Sequence, residues 1–118
     1  MPEQYRFTDD GRIPNNPRLP LLVYRGAVEP DAPDPAATFE AAFARNGWRG
    51  AWRDGIYGFH HYHSTSHEVL GIARGSVQVR LGGERGLATR LEAGDVVVIP
   101  AGVGHKNEGS TPDLLVVG

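Results

Sequence analysis

The sequence predicts an all-β domain, a sandwich or small barrel of short strands, preceded by an extension that carries one short helix. Sixteen glycines and nine prolines divide the 118 residues into brief apolar runs, a spacing that suits strands and turns better than a helical bundle. "SVQVRL" alternates, with Val77, Val79 and Leu81 on one face and Gln78 and Arg80 on the other, the pattern of a half-buried antiparallel strand. "DVVVIP" is apolar on both faces, as a strand covered on both sides should be.

The elements follow in order. "LPLLVYRG", residues 19–26, is a candidate strand, and the proline-bearing "VEPDAPDP" after it is a loop. In "PDPAATFEAAFARNGW", Asp34 can cap a helix and Pro35 suits its first position. Phe39 and Phe43 fall on one face of that helix, and Gly47 stops it. From Trp48 onward strands are expected over 48–52, 56–63, 68–74, 76–81, 87–91, 96–99, 105–107 and 114–117. The turns between them read "RDG", "STS", "GGERG", "EAGD", "PAGVG" and "EGSTPD". Gly55, Gly75, Gly94 and Gly102 are expected at turns that need permissive backbone angles. The chain thus divides into an N-terminal extension, residues 1–47, and a barrel, residues 48–118, within one domain overall.

Charge and composition exclude several partners. Twelve basic against fourteen acidic residues give a formal charge of -2, so no basic field exists to attract nucleic acid or an anionic membrane. No run approaches the ~20 apolar residues of a membrane-spanning helix, and the charged, proline-bearing start does not read as a signal peptide. A soluble, cytoplasmic protein is expected. With no cysteine in the chain, any metal must be held by nitrogen and oxygen.

Four of the five histidines lie within "FHHYHSTSHEVL", residues 59–70. On a strand, His61 and His63 point the same way, and His60 and Tyr62 the other. If the chain turns at "STS", Glu68 begins the neighbouring strand, within reach of the space between the two imidazoles. His105, after "PAGVG", sits at a strand mouth and is the remaining histidine that could join them. His60 and His67 read as satisfied polar residues that point away. Leu70 and Ile72 share the inward parity of Glu68, and Tyr57 and Phe59 that of His61; packing is their default role. Tyr57 is the one catalytic candidate, since its phenol could hydrogen-bond a ligand or move a proton. Arg53, Arg74, Arg80 and Arg90 read as solubilising.

"GIYGFHHYHSTSHEVLGIARG" resembles the first cupin motif, G(X)5HXH(X)4E(X)6G, through Gly55, His61, His63, Glu68 and Gly75. "GDVVVIPAGVGHKNEG" resembles the second, G(X)5PXG(X)2H(X)3N, through Gly94, Pro100, Gly102 and His105, with Gly109 in place of the final Asn and Asn107 two residues earlier. More narrowly, "NNPRLPLLVYRG", "HYHSTSHEVLGIARG" and "VIPAGVGHKN" are similar to a group of small bacterial cupins of unassigned activity, whose members usually continue past "LLVVG". The resemblance implies a double-stranded β-helix, a jelly-roll barrel that gathers His61, His63, Glu68 and His105 inside its mouth. It implies one divalent first-row transition metal (Mn, Fe, Ni, Co or Zn) on those four residues, and a homodimer. The exposed strand edge expected at "LPLLVY" points to a dimer as well.

Three functions are compatible with this reading. The leading one is a metal-dependent enzyme acting on a small polar organic substrate, with dioxygenase-like oxidoreductase chemistry ahead of isomerase or lyase chemistry. The second is a non-catalytic module that binds a small molecule or a metal. The third is a structural subunit whose barrel serves assembly.

Overall fold

The computed structural model describes residues 2–9, 11–29, 33–48, 52–56, 58, 62 and 66–118. Its strands are β1 (Glu3–Phe7), β2 (Asn16–Tyr24), β3 (Arg53–Asp54), β4 (Glu68–Arg74), β5 (Ser76–Leu81), β6 (Leu87–Glu92), β7 (Val96–Ile99), β8 (His105–Ser110) and β9 (Leu115–Val117). One helix, α1 (Pro35–Arg45), lies between β2 and β3. Among the described residues two antiparallel sheets form, a six-stranded one in the order β1-β2-β7-β4-β9-β3 and a three-stranded one in the order β6-β5-β8. This is the all-β barrel architecture that the sequence predicts, with its one helix.

The core lies between the sheets because each strand turns alternate residues inward. Leu21, Val23, Leu70, Ile72, Val97, Ile99 and Val116 come from the larger sheet, and Val77, Val79, Leu81 and Leu91 from the smaller. The strand "DVVVIP" is buried on both sides as expected. Val97 and Ile99 face the barrel interior, while Val96 and Val98 pack with α1 in a second cluster.

Helix α1 has the predicted caps. Asp34 accepts a hydrogen bond from the Ala37 amide at 3.1 Å, Pro35 opens the helix, and Gly47 follows with φ of 84°. Phe39 and Phe43 share the inner face with ring centroids 5.8 Å apart. Phe39 lies directly over Gly71 of β4, where an added Cβ would come within 2.5 Å of its ring.

Several expectations need correction. Trp48 and Trp52 are not in a strand; the strand there is Arg53–Asp54, with Trp52 paired to Gly118 through two 2.9 Å backbone bonds. Trp48 instead closes the end of α1, donating its amide to the Phe43 carbonyl at 2.9 Å. Of the strand expected over 56–63, Ile56, Gly58 and Tyr62 are not in strand conformation, and the other residues lie outside those described. Gly75, Gly94 and Gly102 have φ of 76°, 99° and 90°, but Gly55 does not have a positive φ. The edge expected at "LPLLVY" is covered, since β2 lies between β1 and β7. Strand β1 was not expected: its Tyr5 and Phe7 pack on the core while Gln4 and Arg6 face solvent.

Candidate metal centre

Glu68 opens β4, opposite Ile99 of β7. Leu70 and Ile72 follow it inward with exposures of 2% and 0%, so alternation puts the Glu68 carboxylate on the same face, at the rim of the interior. His105 opens β8, opposite Leu81 of β5 in the other sheet. The loop before it is tightly drawn. The Val103 amide bonds to the Pro100 carbonyl at 3.1 Å, the Val103 side chain is buried in the core, and Gly102 has φ of 90° with its Cα facing the Asn15 carbonyl.

The result is that His105 Nε2 lies 3.2 Å from Glu68 Oε1, with the two side chains 7% and 16% exposed. Two donor atoms from two sheets thus meet at one end of the barrel. Among the described residues no cluster of three or more His, Cys, Asp or Glu side chains forms around them. His61, His63 and Tyr57 lie outside the described residues, as does His60.

The other candidates have partners of their own. His67 is exposed and its Nδ1 accepts the Ala101 amide at 2.9 Å, the satisfied polar role expected of it. Asn107 is spent locally: Nδ2 donates to Ser110 Oγ at 3.2 Å and Oδ1 accepts from the Gly109 amide at 2.8 Å. Arg53 pairs with Glu40 at 2.6 Å, Arg80 with Glu108 at 3.0 Å and Arg90 with Glu92 at 3.7 Å. These bonds raise the Arg53 and Arg80 pKa values and lower that of Glu40.

Two buried polar residues were missed by sequence reasoning, Asn15 beside the site and Asp95 at the other end of β7. Asn15, 7% exposed, and Asp95, 3% exposed, each bind backbone amides of loops that join the strands. Asp95 accepts from the Gly26 and Glu92 amides at 2.9 Å each and meets Arg25 Nη1 at 3.3 Å. The "NN" pair and the "GD" turn were visible in the sequence, but nothing there told a buried clasp from a solvated turn.

Residues 54–117, more than half of the chain, match the cupin domain family. The chain belongs to the cupin family. This cupin is 45% identical over 116 residues to the uncharacterized protein YjlB of Bacillus subtilis (strain 168), a likeness that spans 98% of this chain and 67% of the relative. Its fold is also similar, with a TM-score of 0.45 and 22% identity, to the crystal structure of a DUF861 family protein from Thermotoga maritima, over 72% of this chain and 92% of that one.

Cupins commonly bind a metal, and the described part of this cupin's site can be tested for fit. Metal-ligand bonds of about 2.1 Å place neighbouring donor atoms ~3.0 Å apart in an octahedral shell and ~3.4 Å apart in a tetrahedral one. The 3.2 Å between Glu68 Oε1 and His105 Nε2 lies between these values. A carboxylate oxygen and an imidazole nitrogen are donors that first-row transition metals accept. The pair therefore fits such an ion.

Proposed function

We propose that this cupin holds one divalent first-row transition metal (Mn, Fe, Ni, Co or Zn) on His61, His63, Glu68 and His105 and works as an enzyme on a small polar organic substrate. The observation that carries this reading is the convergence of Glu68 and His105 across the two sheets at 3.2 Å. Glu68 contributes negative charge and a lone pair, and the imidazole of His105 a neutral nitrogen, with both side chains shielded from bulk water by the barrel wall. An ion held there supplies Lewis acidity and, if redox-active, a means of using dioxygen.

Within that class, dioxygenase-like oxidoreductase chemistry is favoured over isomerase or lyase chemistry, which needs an acid or base beside the substrate. The amide of Asn107 and the guanidinium groups of Arg53, Arg80 and Arg90 are engaged elsewhere. Tyr57 is the residue we propose for any proton movement. The same observation favours a second reading, a binding module without turnover, because a carboxylate and an imidazole can hold a metal or a chelating ligand without transforming it.

The experiment that separates these is made on one preparation of Glu68→Gln, which keeps size and an oxygen but removes the charge. Metal occupancy, dioxygen uptake with small hydroxy acids, diketones and phenols, and ligand affinity are measured together. In an enzyme, turnover falls further than occupancy. Proportional losses of occupancy and ligand affinity, with no turnover in either protein, would favour the binding module.

A homodimer accompanies the proposal. Its support is that β1 is an end strand of the six-stranded sheet among the described residues, and an end strand suits pairing with a second chain. Light scattering at high micromolar protein should give twice the chain mass; a constant monomer would contradict it.

A further inference from the structure

The segment before β2 is built into the candidate site. Asn15 has φ of 56° and is 7% exposed. Its peptide N–H donates to the Gly102 carbonyl at 2.8 Å. Its side-chain Nδ2 donates to the Thr8 and Gly82 carbonyls, each at 2.9 Å, and Oδ1 accepts from the Gly104 amide at 3.1 Å. Two acceptors and one donor around the amide fix which end is nitrogen. Gly104 immediately precedes His105, and Gly82 immediately follows Leu81, the cross-strand partner of His105. These two glycines are themselves joined, Gly82 N–H to Gly104 carbonyl, at 2.8 Å. The side chain of Asn15 therefore grips both strands at the level of His105. Asn16 Nδ2 adds a bond to the Ala101 carbonyl at 3.2 Å, and Ile13 packs against Gly104, where an added Cβ would come within 2.9 Å of it.

We propose that Asn15 is the positioning residue of the metal centre, fixing the backbone from which His105 presents its imidazole. This rests on the metal-binding reading above. The loop at 100–104 could shift by a fraction of an ångström at little cost without the clasp, and a ligand displaced by that much loses metal affinity because coordination distances are narrow. Asn15→Asp keeps the shape but turns a double donor into an oxygen facing two carbonyls. Asn15→Gly keeps the left-handed backbone without strain and deletes the clasp.

The test titrates Co²⁺ alone into metal-stripped, tag-free full-length protein, read by visible absorption and by competition with a chelator. Asn15→Asp and Asn15→Gly should bind Co²⁺ at least tenfold more weakly, with altered absorption. His105→Ala should lose nearly all binding. Phe43→Leu, a comparable loss of packing on the far side of the sheet, should bind within about twofold of the parent. If His105→Ala binds poorly but both Asn15 variants bind normally, or if Phe43→Leu is weakened as much as they are, the positioning role is overturned. If His105→Ala binds normally, the metal reading fails and this inference with it. A measurement on the unsubstituted protein covers variants that do not fold: Zn²⁺ should slow hydrogen exchange at the Asn15 and Gly104 amides. Unchanged exchange there overturns the coupling.

Discussion

Glu68 and His105 face each other from different sheets, with Oε1 and Nε2 3.2 Å apart. Their spacing is thus set by how the two sheets pack. Leu81, paired with His105 and 1% exposed, is among the side chains that hold the sheets at that separation. Leu81→Ala should cost about 2–5 kcal/mol in urea unfolding, from lost burial and the cavity left behind. A loss below about 1 kcal/mol would mean that the barrel interior relaxes around the site.

Gly71 and Phe39 set the seat of the helix. A Cβ at residue 71 would lie 2.5 Å from the Phe39 ring, so Gly71→Ala should destabilise by about 1–3 kcal/mol through overpacking. Phe39→Leu in the same chain should recover part of that loss, and a double-mutant cycle measures the coupling. Strict additivity would contradict the contact.

Asp95 links β7 to both the Gly26 turn and the end of β6, accepting two backbone amides at 2.9 Å while 3% exposed. Asp95→Ala should cost about 2–4 kcal/mol, because two amides and Arg25 lose a buried partner. Asp95→Asn, which keeps one oxygen acceptor, should cost less. Thermal unfolding of both variants checks the order.

Glu3 gives a pH dependence. Its hydrogen bonds to the Arg25 guanidinium, and next to the Tyr5 hydroxyl, hold the Glu3 carboxyl below its ordinary value of 4.5. A lowered carboxyl pKa contributes stability above the unfolded value, and this is lost as pH falls through the folded one. With 37% of the Glu3 side chain exposed, the effect is small and screened by salt. Glu3→Gln should therefore be less stable than the parent at pH 7 and equal to it near pH 2. A difference that persists at pH 2 would contradict the ion pair.

Much of this was legible in the sequence, for reasons that differ by element. The alternation in "SVQVRL" and the two-faced "DVVVIP" reported burial directly, and Asp34, Pro35 and Gly47 marked the helix because caps are local chemistry. Strand β1 was missed although Tyr5 and Phe7 alternate with Gln4 and Arg6, because neighbouring charge hides so short a pattern. Strand β2 begins at Asn16 despite Pro17 and Pro20. The β2 residues paired with β7 are Leu22, Val23 and Tyr24, beyond the prolines, so the missing amides break no bond of that ladder. At the site, parity on β4 placed Glu68, and the cupin motifs named His105. The clasp of Asn15 depends on contacts with Gly82 and Gly104, far along the chain, which no local pattern records.

Metal content is the most direct test of the central claim. Protein prepared without a histidine tag is assayed for Mn, Fe, Co, Ni and Zn beside His63→Ala and His105→Ala, at neutral pH and after acidification. One metal per chain is expected in the parent, most of it lost from each variant. Occupancy should also fall on acidification, because an imidazole must shed its proton to coordinate. Equal metal content in the parent and both variants, indifferent to acid, would contradict a metal centre built on these histidines.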